Sequence, residues 1–220
     1  MSFICRLSKI LIVKGNIRMG LFIVFEGVEG SGKSTMCSEL HHILTETGRT
    51  VRTVREPGST PTGEKIATWI KSGKDIVPMA ELFLFSAARI SLVENVIRPS
   101  LQEGTIVICD RYIYSTLSYQ GYGRGLDRHI IENVNNLATK GLKPDLVVLL
   151  DLPVELGIAR KSNRDLDRIE QEDKTFHDRI RTGYLDLASR DPERWLVIDS
   201  SLPITRLSEI VWSRVSDMLQ

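Results

Sequence analysis

Glycine, lysine and hydroxyl residues at fixed spacing make the run Gly27-Val28-Glu29-Gly30-Ser31-Gly32-Lys33-Ser34-Thr35 a match to the pattern G-x-x-x-x-G-K-[ST]. The apolar stretch Leu21–Phe25 ahead of it reads as a strand, and Met36–Leu44 behind it reads as a helix. A strand, a glycine-rich turn and a helix N-terminus aim backbone N–H groups at one point, which makes an anion site before any side chain is counted. Lys33 is then placed to reach a β/γ phosphate, and the Ser34 hydroxyl to hold Mg²⁺. The chemistry this spacing suits is that of a nucleoside triphosphate.

Two further features bear on what is done with the phosphate. Asp110-Arg111 follows the apolar run Thr105–Cys109. An arginine there can clamp a phosphate with two N–H bonds and an aspartate can orient Mg²⁺ through its waters, whereas the same pair can equally serve as a structural ion pair at a strand end. Motor ATPases place a water-preparing glutamate after that aspartate, and GTPases carry an Asn-Lys-x-Asp reader; this chain has neither. Glu29 is the odd residue of the loop. A carboxylate beside a triphosphate costs electrostatic energy unless it faces away, toward solvent, or toward a cation or hydroxyl donor such as a sugar.

The elements that must position these residues are legible as short β-branched runs at Leu21–Phe25, Thr50–Val54, Thr105–Cys109, Leu146–Leu150 and Trp195–Ile198, separated by helical segments. Alternating β and α predicts a three-layer P-loop NTPase fold: a five-stranded parallel sheet with helices on both faces and ligands at the carboxyl ends of the strands. Met79–Leu101 is apolar around most of its circumference and reads as one largely buried helix, in which Glu81 and Arg89 need partners. The last helix, Thr205–Leu219, places Leu207, Ile210, Val211, Val215 and Met218 on one stripe. Residues 19–220 are expected to form one domain, and Met1–Arg18 an extension from which no targeting follows, with either translation starting at Met19 or the extension a dispensable tail.

Lysine plus arginine number 29 against 28 acids, a net charge of +1, which gives no general electrostatic case for nucleic acid or a membrane surface. Cys5, Cys37 and Cys109 share no C-x-x-C spacing, and a reducing cytoplasm is expected. His41 and His42 are adjacent on a helix and read as surface residues rather than a metal pair.

The motifs FIVFEGVEGSGKST, VREPG, FLFSAARISLVENVIRPSL, ICDRYIYSTLSYQGYGRG, PDLVVLLD and DLDRIEQED, in this order and spacing, resemble the thymidylate kinases, which phosphorylate dTMP to dTDP. The resemblance implies that Gly27 to Thr35 hold the phosphates of ATP, with Lys33 on the transferred group and Ser34 and Asp110 on Mg²⁺. It implies that Glu29 faces the 3′-hydroxyl of dTMP, that Phe85 stacks on thymine with Arg89 at the base edge, and that Arg111 binds the acceptor phosphate. Glu56 and Pro57 belong to the acceptor loop, and Thr116 and Gln120 to the thymine side. Without the resemblance Phe85 reads as a core aromatic.

Some family members place a catalytic arginine in the phosphate loop; this chain has Gly30 there and basic residues in a lid of about 160–170, so Arg160 and Arg164 are the expected catalytic cations. Arg168 is a further candidate, or is instead paired with Asp165, Asp167 or Glu170. A homodimer is also implied. Two departures stand out: Glu-Pro-Gly-Ser in place of Glu-Pro-Gly-Gly, and Ala67 where an arginine often holds the acceptor phosphate, with Lys65 or Lys71 as substitutes.

Overall fold

The computed structural model describes residues 20–73, 75–161 and 166–220. The extension 1–18, Met19, Cys5, Arg164 and Asp165 lie outside the described residues.

Five strands, β1 (Phe22–Glu26), β2 (Val51–Arg55), β3 (Ile106–Asp110), β4 (Leu146–Asp151) and β5 (Trp195–Asp199), form one parallel sheet in the order β2-β3-β1-β4-β5. Parallel neighbours need crossovers, and the helices supply them: α1 (Lys33–Glu46), α2 (Pro61–Ser72), α3 (Pro78–Leu92), α4 (Arg98–Gln102), α5 (Ile113–Thr116), α6 (Arg128–Thr139), α7 (Val154–Lys161), α8 (Lys174–Ser189) and α9 (Ile204–Met218). Strand side chains alternate between two cores. Ile23, Phe25, Leu146, Val148 and Leu150 pack with Met36 and Leu40 of α1 and Val211 and Val215 of α9. On the other face, Phe22 and Val24 meet Leu92, Val93 and Ile97, while Val147 and Leu149 meet Leu82, Phe176, Ile180 and Tyr184. Both faces are covered, as a parallel sheet of this composition requires.

All five strands end in a charged residue: Glu26, Arg55, Asp110, Asp151 and Asp199. Register brings three of these strand ends together, with Phe25 opposite Asp110 and Arg55 opposite Asp110. The strand order reverses around β1, so a crevice opens at the carboxyl edge beside the glycine-rich turn.

The long helix expected over Met79–Leu101 is not uniform. α3 passes into a π-helical turn at Val93–Ile97 and then into α4, and the segment after β3 likewise runs from α5 into a π-helical stretch, Leu117–Gly123. Wider turns of this kind recur near functional sites because they re-aim side chains without ending the helix.

Candidate active site

The phosphate loop is built by glycines at positions only glycine holds easily. Gly27, Gly30 and Gly32 have φ of 144°, 72° and 89°. Gly32 precedes α1 with no side-chain cap on the helix and no acid in its first turn, and a Cβ there would meet nothing within 4 Å. The first N–H groups of α1 therefore face open space, where an anion satisfies both the free donors and the dipole. Lys33 is 7% exposed and donates to Gly27 O at 3.0 Å and Val28 O at 2.8 Å. Burial, aided by the charge of Arg111 and opposed by Asp110, Glu29 and Glu26, lowers its pKa to about 8.

Ser34 Oγ donates to Asp110 Oδ2 at 2.5 Å, so the two residues expected at Mg²⁺ stand together. One hydroxyl and one carboxylate form a hard-oxygen set that fits a cation carried mainly by phosphate oxygens and water.

Arg111 follows β3 with φ 71°, an uncommon backbone conformation for a non-glycine residue. Its Nη1 donates to Gly27 O (3.2 Å), Ser115 Oγ (3.2 Å) and the Tyr184 hydroxyl (3.3 Å), and its Nη2 to Glu29 Oε1 (2.8 Å). Burial works against the charge, but the oxygens of Tyr119, Glu29, Tyr184 and Asp110 outweigh it and hold the guanidinium well above its ordinary pKa. Glu29 also accepts from the Tyr119 hydroxyl at 2.6 Å and faces His177 Nδ1 at 3.9 Å.

These groups line one cavity of about 670 Å³. Of the residues expected from sequence, Glu29, Gly30, Gly32, Lys33, Ser34, Thr35, Glu56, Pro57, Phe85, Arg89, Asp110, Arg111, Thr116, Gln120 and Arg160 all border it. Gly27 and Ser31 shape the loop behind it, and Val28 lines a neighbouring cavity of about 380 Å³. Phe85 is only partly buried and borders the cavity, which separates it from a core aromatic.

Arg89 carries a second duty. It is 1% exposed and donates to Glu56 Oε2 (2.8 Å), Asn135 Oδ1 (2.6 Å), Tyr112 O (3.1 Å) and Thr116 Oγ1 (2.9 Å). Burial pushes the Glu56 carboxyl up and Arg89 opposes it. Removing either partner leaves a buried charge uncompensated, at a cost of about 3–5 kcal/mol.

Arg160 donates to Gly30 O and Ser200 O, each at 3.1 Å, which ties α7 to the tip of the phosphate loop. A Cβ at Gly30 would lie 2.5 Å from Gly157 O, so helix and loop touch backbone to backbone. Arg168 finds other partners among the described residues, Glu81 Oε2 and Ile70 O, while the half-buried carboxylates of Asp167 and Glu170 accept from backbone N–H groups of their own turn.

Ser59 takes φ 58° in place of glycine and is held by its own bonds: its Oγ accepts from Arg55 N and its N–H donates to Glu64 Oε1, both at 2.9 Å. Ala67 is buried at the cavity wall, where Lys71 also lies.

Sequence reasoning missed Glu26, Ser115, Tyr119, Tyr184 and His177. Glu26 is fully buried and accepts from Tyr112 N, Ser115 N, Ser115 Oγ and the Tyr184 hydroxyl, so it fixes the start of α5 and two of the groups that hold Arg111. Burial raises its pKa, against its bond from Ser115 and the charge of Arg111. The available signal was a charged residue directly after an apolar strand, inside Phe-Glu-Gly.

The family model described as thymidylate kinase matches residues 25–211. A thymidylate kinase of Thermomicrobium roseum is 46% identical over 204 residues, covering 92% of this chain and 97% of that protein. One of Deinococcus radiodurans is 44% identical over 200 residues, covering 90% and 97%. The crystal structure of thymidylate kinase from Ehrlichia chaffeensis superposes with a TM-score of 0.73 at 32% identity, covering 92% of this chain and 99% of that one. The chain belongs to the thymidylate kinase family.

Proposed function

We propose that this cavity binds MgATP over the phosphate loop and dTMP between α3 and α5, and transfers the γ-phosphoryl group to give dTDP and ADP, a step toward dTTP. The observation that carries this reading is the convergence of Lys33, Arg111 and Glu29 with Phe85 and Gln120 on one cavity. The attacking group is an acceptor phosphate oxygen that is already ionised, so no general base is needed, and positioning with charge neutralisation supplies most of the rate. Lys33 and the N–H groups of α1 hold the donor phosphates. Arg111 holds the acceptor phosphate, Glu29 the 3′-hydroxyl, and Phe85, Arg89, Thr116 and Gln120 the base, with Glu56 and Pro57 at the acceptor loop. Ser34 and Asp110 would hold Mg²⁺, which would offset negative charge on the donor phosphates. Arg160, and Arg164 outside the described residues, add the cationic charge of a lid over 160–170, within one catalytic domain of residues 19–220.

We place the protein in the cytoplasm as a homodimer, acting on small molecules without nucleic-acid or membrane partners. Phe83 and Ile90 of α3 and Leu137 of α6 are apolar and 56%, 48% and 77% exposed on adjacent helices, which supports the dimer. No helix among the described residues is long and apolar enough to cross a membrane. Formation of dTDP from dTMP and MgATP, set against other nucleotides, tests the reading.

A further inference from the structure

Glu81 lies in the first turn of α3, 1% exposed, and stands behind the cavity rather than in it. Its carboxylate collects three donors from two segments. Oε1 accepts from Gln120 Nε2 at 2.9 Å and from Arg124 Nε at 3.3 Å, and Oε2 accepts from Arg168 Nη2. Each arginine is anchored a second time. Arg124 reaches Glu172 at 2.5 Å and lies over the Phe176 ring, 4.6 Å from its centroid, while Arg168 donates to Ile70 O at 3.2 Å. The arrangement holds a carboxylate rigidly against one side-chain amide.

That amide belongs to Gln120, itself 1% exposed and bordering the cavity. An amide presents a donor at one end and an acceptor at the other, and the two ends have nearly the same shape. A carboxylate beside two guanidiniums offers lone pairs only, so Gln120 must turn its NH₂ toward Glu81. The flipped amide would set oxygen against oxygen at the same short distance and remove the buried Gln120 NH₂ from this partner. The carbonyl Oε1 is then the end left for a base.

We infer that Glu81 is a specificity-determining positioning residue, which locks the Gln120 carbonyl toward the cavity and so selects a pyrimidine bearing N3–H over one whose N3 is an acceptor. The inference rests on the reading of this cavity as the dTMP site. Thymine and uracil offer N3–H to a carbonyl; cytosine offers a lone pair and meets repulsion. Hydrogen-bond polarity of this kind discriminates far better than size, because the wrong base leaves desolvated groups unpaired.

The test compares kcat/KM for dTMP and for dCMP, by ADP release, in the wild type, Glu81→Gln and Glu81→Asp, with melting temperature recorded for each. Glu81→Gln can present Gln120 with either a donor or an acceptor. Glu81→Asp keeps the charge facing Arg124 and Arg168 but withdraws the oxygen from Nε2, and so serves if the glutamine variant does not fold. The dTMP-to-dCMP ratio is expected to fall about tenfold in the folded variants, with dCMP turnover rising in absolute terms. A purely structural Glu81 would lower both substrates in parallel, and an unchanged ratio overturns the inference. A wild type that does not prefer dTMP overturns the reading of the site, and the inference with it.

Discussion

Arg111 Nη2 donates to Glu29 Oε1 across 2.8 Å, joining the cation assigned to the acceptor phosphate to the carboxylate assigned to its sugar. Each residue balances the other's charge in the free site, and the Tyr119 hydroxyl holds Glu29 from the side. Acceptor binding replaces this mutual contact with contacts to one substrate at two points. Glu29→Gln should therefore lower kcat/KM for dTMP by about 10- to 100-fold. The preference for dTMP over 3′-deoxy-dTMP should shrink toward unity in that variant, measured by steady-state kinetics on both substrates. An undiminished preference would remove Glu29 from the sugar.

Lys33 gives a pH signature. Its pKa in the free protein is lowered to about 8, with burial the largest cause. Phosphate oxygens favour the charged form, so binding MgATP raises that pKa and the free protein must gain a proton above about pH 8. Affinity should fall as pH rises through 8, and calorimetry at pH 8.5 in buffers of different ionisation enthalpy should report proton uptake. Lys33→Ala should abolish the uptake along with most turnover.

Gly30 explains where an arginine cannot go. With φ 72° and Gly157 O 2.5 Å from the position of a Cβ, any side chain strains the loop and pushes α7 away. Gly30→Ala should raise KM for MgATP several-fold while leaving KM for dTMP near the wild type, and should lower the melting temperature. Equal effects on both KM values would argue against the α7 contact.

The exposed side chains Phe83 and Leu137 test the assembly. Sedimentation at micromolar concentration should give a dimer for the wild type and a monomer for Phe83→Glu with Leu137→Glu. A wild-type monomer would contradict the homodimer.

Strand placement followed from apolar runs, and every expected strand falls on an observed one. Each expectation nevertheless stopped one residue short, at Phe25, Val54, Cys109, Leu150 and Ile198, because hydrophobicity ends where the chemistry begins. Glu26, which fixes Ser115 and Tyr184 around Arg111, was lost in that step. The resemblance, not the i,i+4 spacing, pointed to Phe85 and Arg89, and the two do share the cavity. Thr116 and Gln120 also share it, although the helix between them is π-helical, a change of pitch that no propensity signals. The partner of Arg168 was unreadable for another reason. Glu81 lies 87 positions away, and only the fold brings a buried carboxylate to it.

The central claim is that this site phosphorylates dTMP, and the direct test is ADP release with MgATP and, in turn, dTMP, dUMP, dCMP, dGMP and thymidine, with the product identified. The account predicts dTDP from dTMP at the highest kcat/KM of the set and essentially no reaction with thymidine, which lacks the phosphate for Arg111. Faster turnover of any other acceptor, or tight binding of dTMP and ATP without dTDP, would contradict it.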